Sequence, residues 1–168
     1  MNSKFIPIIT ISMFVLLLTP VVVLSGPAQD YEALKGVVQA NTIFYFREGA
    51  PGGALVHLSL IHETYKDRTI QNLEGKSQFV VVFMGRSVNL VSSDTEGFTE
   101  EETETIEKIH KVITAMAKDG IKLEICRFAA DFFDVKAESI LPEIDQVANG
   151  WISSIGYQAQ GYALVPIF

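Results

Sequence analysis

Cys126 is the only cysteine of this 168-residue chain, in the stretch GIKLEICRFAADFF, Gly120 to Phe133. It stands where an apolar, strand-like run, Ile121 to Cys126, gives way to a helical pattern opening at Arg127. A thiol at such a junction meets unpaired backbone N–H groups and the positive end of a helix dipole. Both favour the thiolate, the form that attacks electrophilic sulfur and carbon. Cysteine also packs well as a small buried hydrophobe. Residue type alone therefore leaves two readings open, a working thiol and a core thiol.

The elements around Cys126 decide which residues can join it. NTIFYF, Asn41 to Phe46, reads as a strand and ends at Arg47 and Glu48. QFVVVFM, Gln78 to Met84, is continuously apolar and β-branched, as expected of a strand covered on both faces, and ends at Gly85 and Arg86. QVA is a short strand candidate before the Asn149-Gly150 turn, and YALVPIF a last strand in which Pro166 marks an edge or a strand end. Helical spacing covers Ala54 to Lys66. It also covers a long segment capped by the Thr99-x-x-Glu102 box and closed by Gly120, and WISSIGYQAQG. Ser87 to Gly97 reads as a loop with a helical turn. Strands alternating with helices predict an α/β fold: a three-layer α/β/α sandwich around a mostly parallel five-stranded sheet, with right-handed crossovers. In such sheets ligands bind outside the carboxyl ends of the strands. That edge gathers Cys126 as the reacting group, with Arg47, Arg86, Arg127 and Asn149 as candidates to bind an anionic substrate.

Other chemistries find little support. EGAPGGA lacks the lysine and the spacing of phosphate loops and reads as a turn into a helix. His57, His62 and His110 fall on predicted helices without metal-ligand spacing, and no cofactor or metal is expected. Ser153 and Ser154 lack the G-x-S-x-G setting of a nucleophilic serine. The acidic residues from Glu100 to Glu107 suit the solvated face of a helix, ordered to complement its dipole. A net charge of -7 with no dense cluster of Lys and Arg excludes nucleic acid as a natural partner.

The N-terminus has the order of a secretory signal: Lys4, an apolar run from Phe5 to Leu24, then Ser25, Gly26 and Ala28. Cleavage after Ala28 leaves a 140-residue chain of net charge -8 in a periplasmic or secreted setting. The alternative is an uncleaved membrane anchor, since about 20 apolar residues span a bilayer. Residues 1–28 are thus expected to be a signal segment, 29–40 a lead-in, and 41–168 a single α/β domain. One cysteine cannot form an internal disulfide, so the exported chain would carry a free thiol.

GIKLEICRFAADFFDV resembles the segment around the sulfur-carrying cysteine of DsrE/DsrF-like (DsrE/TusD) sulfur-relay proteins. The ending VANGWISSIGYQAQGYALVPIF is also similar to the close of such chains. The resemblance spans roughly Asn41 to Phe168. It implies the parallel five-stranded sandwich, homo- or hetero-oligomers, and a persulfide on Cys126 exchanged with a donor or acceptor protein. Only Cys126 matches a functional position of that family. The signal segment is a departure, because an exported member cannot use the cytoplasmic partners of the relay. The other reading is a non-catalytic ligand-binding or assembly module with a structural cysteine and an apolar surface around Trp151 and Tyr157.

Overall fold

Runs of Val, Ile, Phe and Tyr, which fit a pleated surface covered on both sides, build the sheet. The computed structural model describes residues 31–168, and the expected signal segment lies outside these. The strands are β1 (Thr42–Phe46), β2 (Phe79–Phe83), β3 (Lys122–Cys126), β4 (Asp145–Val147) and β5 (Ala163–Ile167). They lie in the order β4-β3-β2-β1-β5, and every pairing is parallel. Between them come α1 (Pro51–Lys66), α2 (Arg68–Gln71), α3 (Glu100–Asp119), α4 (Arg127–Phe132) and α5 (Gly150–Ala159). The helix expected from Ala54 starts one turn earlier, because Pro51 suits a first helical position. The loop expected at Ser87 to Gly97 overlaps a 3-10 segment, Gly85–Val91, that starts two residues earlier.

Strand order explains how unequal the two faces are. The chain steps from β1 to β2 to β3 to β4 in one direction, then returns through α5 to lay β5 beside β1. Crossovers of one hand put helices of opposite step direction on opposite faces. On the first face Phe46, Phe83, Leu123 and Ile125 pack against Leu58 and Ile61 of α1 and Ile106, Ile109 and Ile113 of α3, forming the larger core. Ile43, Val80, Val82, Met84 and Cys126 line the second face, with Tyr157 of α5 and Tyr162 packed on them.

The expected capping box starts α3: Thr99 Oγ1 accepts from the Glu102 N–H at 3.2 Å, and Glu102 accepts from the Thr99 N–H at 2.9 Å. Gly120 ends the helix at φ 94°, a conformation that favours glycine. His110 of α3 donates from Nε2 to the Leu90 carbonyl at 3.1 Å, tying α3 to the 3-10 segment. Burial holds this imidazole below its usual range, against the opposing pull of that bond and of Glu107 and Glu143. Pro166 lies on the edge strand β5, where a missing N–H breaks no pairing.

Alternation along β3 puts Leu123 and Ile125 in the main core and turns Glu124 and Cys126 toward α5. Glu124 is 3% exposed. Its carboxylate accepts from Tyr157 OH at 2.7 Å and from Ser153 Oγ, both on α5, and pairs with Lys122 Nζ at 3.0 Å. The Tyr157 hydroxyl and then Glu124 hold Lys122 above the ordinary ammonium range, and burial raises the Tyr157 phenol. A buried carboxylate is stabilising only when its acceptor sites are filled, and here α5 fills two of them. Glu124→Ala is expected to cost about 2 kcal/mol, below the roughly 3–5 kcal/mol of a fully buried pair, because half-exposed Lys122 can turn to water. Glu124→Gln, which still accepts hydrogen bonds, should cost about half as much. Denaturant midpoints compare the three proteins; an unchanged midpoint for Glu124→Ala would remove the carboxylate from the forces holding α5.

Candidate functional site

Cys126 ends β3 and stands at the N-cap position of α4 without a side-chain hydrogen bond to that helix; strand alternation aims its side chain at the α5 face while the chain turns away. The Phe128 N–H donates to the Ala148 carbonyl at 3.3 Å, drawing the start of α4 to the segment that leads into α5. Asn149 caps α5, its Oδ1 accepting from the Trp151 N–H at 2.9 Å. The first turns of α4 and α5 therefore meet beside the thiol.

A cavity of about 410 Å³ opens at this meeting point, on the carboxyl edge of the sheet. Cys126 is 2% exposed and contributes to its inner wall, with Met84 and Tyr45 from the neighbouring strands. Phe128, Phe132 and Trp151 form its outer wall, and Arg47 stands at one end. The Trp151 indole N–H donates to Tyr45 OH at 2.9 Å, fixing the indole over β1.

The edge carries most of the residues expected there. Arg47 and Asn149 line the cavity together with Cys126. Arg86 lies in an adjoining cleft that shares Arg47, Gly85 and Phe133 with the cavity, and its guanidinium sits 5.7 Å from the centre of the Phe133 ring. Arg127 is not among the lining residues. As the first residue of α4 its side chain runs along the helix to pair with Asp131, one turn on. The three histidines are also elsewhere: His62 pairs with Asp119 at 2.6 Å between α1 and α3, His110 holds Leu90, and His57 sits on α1. The EGAPGGA turn works as a helix start, with Glu48 Oε1 accepting from the Ala50 N–H at 2.8 Å.

Trp151 and Tyr157 do not share a surface. Gly150, Ser154 and Tyr157 lie on the sheet side of α5, so Tyr157 reaches Glu124 while Trp151, Ile152 and Ile155 face outward. Tyr45 and Met84 were not singled out from the sequence. The signal that finds them is strand parity: Tyr45 pairs with Val82, and Val82 with Glu124, so Tyr45, Met84 and Cys126 all project to one face.

Gly150 is the tightest point of the site. A Cβ there would lie 3.0 Å from Cys126 Cβ and 3.1 Å from both Met84 Sδ and Val82 Cγ1. Helix propensity favours alanine over glycine by about 1 kcal/mol in a helix interior and by less at the first position. Overpacking costs about 1–3 kcal/mol, so the clash wins. Gly150→Ala is expected to lower stability by about 1–2 kcal/mol and to slow modification of Cys126 by a small thiol reagent. Raised stability with an unchanged modification rate would show that α5 can lift without disturbing the thiol.

Comparison with known proteins agrees with this architecture. The family model described as DsrE/DsrF-like matches residues 42–167. An uncharacterized protein of Aquifex aeolicus (strain VF5) is 29% identical over 113 residues, 66% of this chain, and the match spans only about half (48%) of that relative's length. Among solved structures, MTH1491 of Methanobacterium thermoautotrophicum, described as of unknown function, superposes with a TM-score of 0.58 at 16% identity. The ychN protein of E. coli superposes at 0.50 with 14% identity. Each alignment covers 76% of this chain and 99% of the other, and at these identities it speaks for the fold alone. With the all-parallel five-stranded sheet and a family match over residues 42–167, the chain belongs to the DsrE/DsrF-like family.

Proposed function

We propose that the chain is a sulfur carrier that holds sulfane sulfur as a persulfide on Cys126. The observation that carries this reading is a thiol in the wall of a cavity at the carboxyl edge of a parallel sheet, in a DsrE/DsrF-like fold. The Cys126 thiolate attacks the outer sulfur of the donor, and a Cys–S–S bond forms. The donor's S–S bond breaks, and its electron pair leaves on the remaining fragment, as a thiolate, or as sulfite when the donor is thiosulfate. An acceptor thiolate then attacks the terminal sulfur, and the pair returns to Cys126. Neither step changes the net oxidation state, and both are fastest when the thiol pKa values lie near ambient pH. The N-terminal segment supports an exported setting for this exchange, with partners of that compartment. The outward apolar face of Trp151, Ile152 and Ile155 supports association with a partner subunit, alike or different.

The competing reading is a structural cysteine in a binding or assembly module. It draws on the burial of Cys126 among Ile43, Val80, Val82 and Met84. Sulfur uptake separates the two. Folded protein treated with polysulfide is expected to gain the mass of one sulfur at Cys126 and to release it to cyanide as thiocyanate, while Cys126→Ser gains none. A wild-type protein that takes up no sulfur and resists alkylation from about pH 6 to pH 9 would leave the structural reading in place.

A further inference from the structure

We infer that the cavity beside Cys126 is a binding site for an organic anion with an apolar body, such as an aryl- or alkyl-substituted carboxylate, rather than for a small inorganic anion. As a statement about the sulfur donor, which would then be an organic persulfide carrying such a carboxylate and leaving as its thiolate, this rests on the assignment of Cys126 as the working thiol; as a statement about binding it stands on the walls.

Size is the first argument. A cavity of about 410 Å³ has room for roughly a dozen waters at about 30 Å³ each, so an anion the size of thiosulfate would leave most of it wet. The walls give the second. Met84, Phe128, Phe132, Phe133 and Trp151 offer carbon, sulfur and ring faces, the usual lining of an organic-ligand pocket, and cannot replace the hydration shell of a compact divalent anion. Phe128, Phe132 and Trp151 are also 73%, 74% and 63% exposed in the isolated chain, and an apolar body in the cavity would cover part of each.

The polar groups are donors without a carboxylate among them. Arg47 is the only charged residue of the lining and forms no ion pair among the described residues. Its guanidinium lies over Gly85, which has φ 58°; a Cβ there would come within 3.4 Å of Nε. Glu48, the adjacent acid, is turned to the start of α1 instead. Asn149 spends its oxygen on the Trp151 N–H, leaving its amide hydrogens without a partner among the described residues, and Tyr45 OH accepts from the indole and keeps its own proton to donate. Arg86 in the next cleft adds a second cation without an ion pair among the described residues. A negative head at the Arg47 end and a hydrocarbon body against the aromatic wall satisfy both halves of the site.

The test is calorimetric titration of the full chain carrying Cys126→Ser, which removes sulfur chemistry from the readout. The probes are 3-phenylpropionate, its neutral counterpart 3-phenylpropanol, and thiosulfate. 3-Phenylpropionate is expected to bind about tenfold or more tightly than either of the others, and Arg47→Gln should erase its advantage over the alcohol. Trp151→Ala should weaken both organic probes. Thiosulfate binding as tightly as 3-phenylpropionate would overturn the inference, and so would an Arg47→Gln variant that binds the carboxylate unchanged. A chain that binds no probe and is a dimer by light scattering through Trp151 would assign the cavity to a second copy instead. Titration that succeeds while wild-type protein takes up no sulfur sinks the carrier reading alone; sulfur uptake without carboxylate binding sinks this inference alone.

Discussion

The carboxylate of Glu124, buried mid-strand and bonded to two residues of α5, is the interaction on which the arrangement of the carboxyl edge depends. Among the described residues a single helix covers the second face of the sheet, and it packs over β1, β2 and β3 with a modest apolar contact. Burying a charge there is unfavourable unless Ser153 and Tyr157 come to meet it. That requirement fixes how far along the sheet α5 sits. Its first residue, Gly150, is thereby pressed against Cys126, and its cap, Asn149, against the cavity.

The inequality of the faces follows from one reversal of strand order. Two long helices seal the first face and bury the Phe46, Phe83 and Ile113 layer completely. At the carboxyl edge the second face is bordered, among the described residues, only by α4, which packs at the end of β3, and by the first turn of α5. What they do not cover is the cavity. The thiol is therefore nearly enclosed by neighbouring side chains while still facing a space large enough for a substrate. Being packed and being reachable are compatible here because the packing comes from the strands and the opening from the helix ends.

Much of this was legible in the sequence because it is local. The apolar run of β2, the capping box and Gly120 of α3, and the turn before α5 each report their own structure through residue type and spacing. Placement of Cys126, Arg47, Arg86 and Asn149 at one edge followed from strand order alone, since all parallel strands end together. Three features were not legible. Arg127 was expected at the site by its position next to Cys126, but the first side chain of a helix can turn along the helix, and Asp131 gives it a reason to. Trp151 and Tyr157 were grouped as one apolar surface, although six residues along a helix place them on different sides. The partnership of Glu124 with Ser153 and Tyr157 joins residues about 30 positions apart, through a register no single segment encodes.

The chemistry attributed to Cys126 uses these constraints together: a thiol at a strand end, an apolar wall beside it, and the Arg47 cation in the same lining. The most direct measurement is mass spectrometry of the protein isolated from its native compartment, with thiols alkylated at lysis under non-reducing conditions. The account predicts that a fraction of the Cys126 peptide carries one additional sulfur beneath the alkyl group, on a chain beginning at residue 29. Cys126 recovered only as the simply alkylated thiol, with sulfane sulfur present in the same extract, would contradict it.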